Sequence, residues 1–177
     1  MTSVLGKRIA ARGRVLARAA TGLALAAMLT VPGAVAVSAS DLPESASGKT
    51  VTRAYDDVRF DLESAIVNRG LVIDYVSHIG EMLARTGGDV GSDKQIFTKA
   101  EAMLFCSARL SRAAMEARAG NLAFCPYAVF LFETPDAPGQ VTVGYRKLPE
   151  TGSDASKAAL ANVNALLEEI VQEATGE

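Results

Sequence analysis

The chain has 177 residues, which is enough for one domain with a proper hydrophobic core and too few for two domains of ordinary size. Its 18 basic and 20 acidic residues give a formal net charge of −2. The sequence has no basic stripe and no RNA-binding aromatic motif, so its composition argues against nucleic acid as a partner.

The first 39 residues have the pattern of a secretory signal peptide. An apolar run from Ala19 to Val37 follows a start without acidic residues, and the five basic residues of that start are Lys7, Arg8, Arg12, Arg14 and Arg18. Small residues before Val37 fit a cleavage site between Ala36 and Ala39. Pro32 and Gly33 argue against an uncleaved anchor. We expect a periplasmic or secreted protein with no stable membrane anchor after cleavage.

Removal of residues 1–39 changes the charge and the redox context. The remainder keeps 13 basic and 20 acidic residues, a net charge of −7. This balance is more compatible with a cationic partner or a metal ion than with an anionic one. Export to an oxidising compartment also favours a disulfide between the two cysteines of the chain.

The exported part begins with a Ser-rich segment, residues 40–49, which we expect to be a flexible lead-in to a folded domain over residues 50–177. A short strand from Thr50 precedes a helix with Val58, Leu62, Ala65 and Ile66 on one face. "LVIDYVS", residues 71–77, predicts a mostly buried strand, and "HIGEMLART" a short helix ended by Gly87.

One strand, two helices and a hairpin are predicted in the second half. "AMLFC" predicts a buried strand and "SARLSRAAMEARAG" a helix. "FCPYAVFLFE" and "QVTVGYRKL" form the hairpin, joined by the turn signals of "TPDAPG", and a helix capped by Asp154 closes the chain. The order β-α-β-α-β-α-β-β-α predicts an α/β (α+β) fold with a single mixed β-sheet and helices mainly on one face.

The two cysteines, Cys106 and Cys125, allow more than one chemistry. A disulfide requires their Cα atoms to come within about 7 Å, which the intervening helix and link permit. Thiol–disulfide exchange is less favoured because the close C-x-x-C spacing is absent. We expect a structural disulfide, with a reversible regulatory bridge as the open alternative.

A second hypothesis adds His78, the only histidine. His78 and Cys106 each follow a predicted strand, so parallel pairing of those strands would bring both to one edge of the sheet. Imidazole and thiolate ligands suit copper, zinc or haem iron, although no recognised ligand spacing is present. The simpler interpretation is that no cofactor is bound and His78 only begins a helix.

Other side chains give weaker indications. Tyr127 and Tyr145 are predicted to face one another across the hairpin, where they could line a ligand pocket. With one histidine and no G-x-S-x-G, the sequence offers no serine-based triad. We therefore name no catalytic residue, and the pattern does not indicate an enzyme.

Residues 104–149 contain a recognisable series of features: Phe105 ends a strand, Ala114-Met115 lie in a helix, Asn121 in a link, Pro126 before an apolar strand, and Tyr145 in a second strand. In this series the segment resembles the DUF302 family. Cys106 and Cys125 stand where that family commonly has other residues, so they look like a paired feature of an exported subgroup. The resemblance implies a compact α/β domain and supplies no catalytic residues, because the family's biochemical role is unassigned.

These observations lead to one functional expectation and two alternatives. We expect an exported domain that binds a small ligand or a protein partner and is supported by a Cys106–Cys125 disulfide. The first alternative is a periplasmic metal-binding, haem-binding or redox accessory protein that uses His78 and the cysteines. The second is a homodimer formed through an exposed edge of the hairpin.

Overall fold

The computed structural model describes residues 42–176, which form one five-stranded sheet and four α-helices. The strands are β1 (Ala46–Thr52), β2 (Ile73–Ser77), β3 (Lys99–Phe105), β4 (Tyr127–Glu133) and β5 (Gln140–Arg146). The helices are α1 (Tyr55–Val67), α2 (Ile79–Thr86), α3 (Ala108–Ala117) and α4 (Asp154–Thr175). Short 3₁₀ helices follow α2 at Gly88–Val90 and α3 at Ala119–Phe124. The predicted α/β class and order of elements are confirmed.

The strands lie in the order β1-β5-β4-β3-β2, and each pair of neighbours is antiparallel. The predicted sheet was mixed, and this detail is wrong. Strand β2 ends at Ser77, and Ser77 pairs with Ala102, which lies near the start of β3. The end of β2 and the start of β3 therefore lie at the same end of the sheet. The chain therefore enters β3 in the direction opposite to β2.

A close contact of α2 with β3 holds this connection at one end of the sheet. A Cβ atom added to Gly80 would lie 2.8 Å from the backbone nitrogen of Ala100. Only glycine permits this approach without displacement. The helix thus packs beside the start of β3 and does not cross the sheet.

The core lies between one face of the sheet and α1, α3 and α4. Alternate residues of the central strands point to this face, including Met103 and Phe105 of β3 and Val129 and Leu131 of β4, all fully buried. Helix α4 contributes a buried apolar stripe that includes Leu160, Val163, Leu167 and Ile170. The predicted placement of helices mainly on one face is confirmed.

Three details at the edges of the sheet differ from expectation. Strand β1 begins at Ala46, inside the predicted lead-in. Its pairing with β5 depends on backbone hydrogen bonds and on the close approach of Gly48 to Gly144, neither of which requires an apolar side-chain pattern. Strand β2 is an edge strand with partly exposed residues, not a mostly buried one. The edges are β1 and β2, so the β4–β5 hairpin is interior and does not present the exposed edge proposed for a homodimer.

The predicted signal peptide, residues 1–39, lies outside the described residues. Among residues 42–176, no helix is both long enough and apolar enough to cross a membrane.

Candidate ligand-binding cleft

Cys106 and Cys125 form a disulfide, with their Cα atoms 6.1 Å apart. Cys106 follows β3 and Cys125 precedes β4 by two residues. Because these strands are antiparallel neighbours with Phe105 opposite Tyr127, both cysteines lie at the same end of the sheet. The bridge joins this end to the 3₁₀ turn after α3, and Ser111 of α3 contacts Cys125 Sγ at 3.7 Å.

His78 lies at the other end of β2 and β3. The hypothesis of a shared metal or haem site required parallel strands, and β2 and β3 are antiparallel. Ile73, at the start of β2, is the residue paired with Phe105 next to Cys106, whereas His78 follows the last residue of β2. The structure therefore does not bring His78 and the cysteines together. Within residues 42–176, no three His, Cys, Asp or Glu side chains are grouped as metal ligands.

Tyr127 and Tyr145 both point into the core on the helix-covered face. The register pairs Tyr145 with Val129, so the two tyrosines are not directly opposite one another. The Tyr127 hydroxyl lies 2.8 Å from Ser111 Oγ, and its ring packs edge-on against Phe105. Burial raises the pKa of both phenols. Both rings are buried in the hydrophobic core.

Polar side chains converge instead in a cleft of about 590 Å³ between α1, the β2–α2 turn and the start of β3. We call it the α1 cleft; its lining includes Tyr55, Arg59, Phe60, His78, Glu81 and Glu101. The volume lies within the usual range for small-molecule sites, about 300–1,000 Å³.

Local sequence patterns explain why these side chains meet. Tyr55 and Arg59 are four residues apart, so they share one face of α1. Every second residue of a strand points to the same face. On β3 this places Lys99 and Glu101 on the helix-facing side, together with Met103 and Phe105. The helix-facing side of β3 is consequently charged where the strand begins and apolar where it ends.

A chain of hydrogen-bonded charges crosses the cleft. Glu101 accepts hydrogen bonds from Arg59 Nε at 2.7 Å through Oε2 and from His78 Nδ1 at 3.0 Å through Oε1. Arg59 also donates to Glu63, one turn further along α1, at 2.9 Å. The hydrogen bond to Glu101 is the main reason why the pKa of Arg59 is raised. Nδ1 of His78 is thus held against a carboxylate that Arg59 fixes in place, and the imidazole is half exposed.

Tyr55 lies beneath these charges and carries a buried hydroxyl. Its side chain is 6% exposed, and the hydroxyl has no hydrogen-bond partner among residues 42–176. Burial is the main reason why the pKa of Tyr55 is raised, and the negative charge of Glu101 is the second. The phenol is therefore neutral at physiological pH. The Lys99 ammonium lies 5.1 Å from the centre of the Tyr55 ring and 2.7 Å from an Asp56 carboxylate oxygen.

Of these residues, only His78 was selected from the sequence as a candidate. Glu101 could have been found from the strand pattern, since it occupies an inward-facing position of β3 in register with Met103 and Phe105. A charged residue at such a position needs a partner. The Arg59–Glu63 spacing was a weaker signal, because pairs four residues apart are common on exposed helix faces.

Comparisons with known proteins agree with the fold. The model of a family described as "Domain of unknown function DUF302" matches residues 48–174. No curated protein matches the chain. A similar solved structure is that of an uncharacterized conserved protein DUF302 from Bacillus stearothermophilus, with a TM-score of 0.61. The match covers 75% of this chain and 99% of that chain at 14% identity, which is evidence for the fold alone.

Proposed function

The chain belongs to the DUF302 family, and we propose that this member is an exported domain that binds a small polar ligand in the α1 cleft. The observation that carries the proposal is the Arg59–Glu101–His78 array above the unpartnered Tyr55 hydroxyl. A few convergent polar groups in a concave site are typical of ligand recognition.

Orientation of the imidazole supports binding at this position. The Nδ1–H group of His78 donates to Glu101, so the neutral imidazole carries an acceptor nitrogen at Nε2. Arg59 restrains Glu101 and therefore restrains the ring indirectly. Side chains held in this way lose little conformational entropy when a ligand binds.

Export is supported by two independent features. The leader over residues 1–39 has the charge and apolar pattern of a secretory signal. The disulfide between Cys106 and Cys125 is compatible with an oxidising compartment. The periplasm or the exterior of the cell is thus the proposed location.

Binding is tested with His78 as the reporter, because it is the only histidine and gives one imidazole signal in an NMR spectrum. The purified exported protein is titrated with a mixed set of small anions, cations and neutral polar molecules. We expect at least one class to shift the His78 ring resonances in a saturable way, and to do so less in Glu101→Gln. If no member shifts them, the cleft is not a ligand site.

Export is tested by expressing the full chain in a bacterium and fractionating the cells. We expect a processed protein outside the cytoplasm, with its new N-terminus between residues 37 and 40. Intact mass before and after reduction should differ by two hydrogens. An unprocessed cytoplasmic protein would refute the proposed location.

A further inference from the structure

We infer that the ligand of the α1 cleft is a small organic cation, an ammonium group attached to an apolar body. The inference rests on the proposed function and specifies its ligand class. It depends on which charges of the cleft are already paired, on which aromatic surface is exposed, and on a contact inside the protein that uses the same chemistry.

The unpaired charge of the cleft is negative. Arg59 is bonded to two carboxylates, those of Glu101 and Glu63, and Lys99 is paired with Asp56. Glu81 also lines the cleft, and it has no ion-pair partner within the described part of the chain. An anionic ligand would have to displace an existing carboxylate, whereas a cation would meet an available one.

An aromatic ring lies in the same lining. Phe60 of α1 is 66% exposed, whereas most apolar residues of this helix are buried; the other exposed one is Val67, at its end, at 51%. The face of an aromatic ring attracts cations, and its area also covers apolar groups. Phe60 can therefore contact both parts of an ammonium ligand.

The cleft already contains one ammonium held in this manner. Lys99 Nζ lies over the ring of Tyr55 while Asp56 supplies the carboxylate. Phe60 and Glu81 offer the same combination of ring and carboxylate to a second ammonium.

The Tyr55 hydroxyl is a buried polar group beside the cleft, without a partner among the residues that the structure describes. A buried hydroxyl without a partner costs free energy, and such groups in native proteins are usually satisfied by a ligand or water. Of the charges that act on it, those of Glu101, Arg59 and Asp56 line the cleft and that of Glu133 does not. Tyr55 thus belongs to the lining of the cleft, with its hydroxyl buried behind the surface that a ligand would contact.

The test uses three molecules of similar shape, namely benzylammonium, benzyl alcohol and benzoate, titrated against the oxidised protein with the His78 resonance as readout. We expect benzylammonium to shift this resonance with saturation in the millimolar range or below, and the other two to bind at least several-fold more weakly. Benzylammonium affinity should fall roughly two- to fivefold in Glu81→Gln and by a similar factor in Phe60→Ala.

A matched control separates the cleft from the general negative charge of the protein. Glu116→Gln removes the same charge from an exposed ion pair on α3, and it should leave benzylammonium binding unchanged. Equal loss in Glu116→Gln and Glu81→Gln would show non-specific attraction and overturn the inference. A benzylammonium titration that leaves the His78 resonance unshifted would overturn the inference as well.

Failure of the ligand class differs from failure of the site. If benzoate or benzyl alcohol shifts His78 as strongly as benzylammonium, the cation inference is wrong and the cleft still binds ligands. If neither the three molecules nor the wider mixed set shifts His78, the proposed function is wrong too.

Discussion

Tyr55 and Tyr127 are both buried, but their hydroxyl groups differ. The Tyr127 hydroxyl is bonded to Ser111, whereas the Tyr55 hydroxyl has no partner among residues 42–176. A buried polar atom without a partner costs about 1–3 kcal/mol. Tyr55→Phe should therefore raise the free energy of unfolding by about 1 kcal/mol, measured by chemical denaturation of the ligand-free protein.

Tyr127→Phe is the matched control for this substitution. It removes the same atom but leaves Ser111 without its hydroxyl partner, so the free energy of unfolding should fall by about 1 kcal/mol. If the free energy of unfolding fell equally in both variants, the Tyr55 hydroxyl would have a hydrogen-bond partner in solution.

Glu101 should contribute more to stability than Glu63, although both accept hydrogen bonds from Arg59. The Glu101 side chain is 16% exposed and also binds His78, while Glu63 is 46% exposed. Glu101→Gln should lower the free energy of unfolding by about 1–3 kcal/mol, because it leaves a half-buried guanidinium poorly paired. Glu63→Gln should cost less than about 0.5 kcal/mol. Denaturant titration of both variants would contradict this order if the losses were equal.

At the scale of elements, the position of α2 depends on Gly80. Its contact with Ala100 leaves no space for a methyl group, since the added carbon would lie 2.8 Å from a backbone nitrogen. Gly80→Ala should displace α2 from β3 and lower the free energy of unfolding by about 1–3 kcal/mol. It should also shift the His78 resonance, because His78 directly precedes α2.

Gly88→Ala is the control, since an added Cβ there would have no atom within 4 Å. This variant should be neutral or slightly more stable, and it should leave the His78 resonance in place. Equal behaviour of the two variants would show that α2 tolerates a methyl group at Gly80.

The elements themselves were predictable from the sequence, and the pairing of distant strands was not. Local signals specify the β4–β5 hairpin, because its turn residues and alternating pattern lie within 20 residues of one another. The partner of β2 depends on how a 21-residue connection returns, which no local pattern encodes. The predicted metal site relied on parallel pairing of β2 and β3, and because these strands are antiparallel the structure does not bring His78 and the cysteines together. The cleft was missed because its residues come from three separated segments.

At the scale of the whole molecule, the disulfide closes a loop between residues 19 positions apart that contains all of α3. A loop of this length predicts a stabilisation of about 3 kcal/mol. The double variant Cys106→Ala and Cys125→Ala should lose about 2–4 kcal/mol of unfolding free energy, and the reduced wild-type protein should lose a similar amount. A loss from the substitutions without a loss on reduction would assign the effect to packing.

Buried tyrosines also make the stability of the whole fold sensitive to alkaline pH. Burial raises the pKa of Tyr55, Tyr127 and Tyr145 in the folded protein, whereas an unfolded tyrosine ionises near pH 10. Above about pH 10 the unfolded chain loses these protons first, so the folded state binds more protons and the free energy of unfolding falls as the pH rises. Below that pH, all three phenols are neutral in both states and contribute no slope.

The expected slope is up to about 1.4 kcal/mol per pH unit for each of the three phenols. Tyr55→Phe should therefore reduce the slope by up to a third, which denaturation at several values above pH 10 would measure. Phenolate absorbance provides a second readout, because these three tyrosines should ionise together with unfolding. Both cysteines of the chain are in the bridge, so no thiol is present to begin disulfide exchange at high pH. An unchanged slope in Tyr55→Phe would mean that this phenol is already accessible to hydroxide in the folded protein.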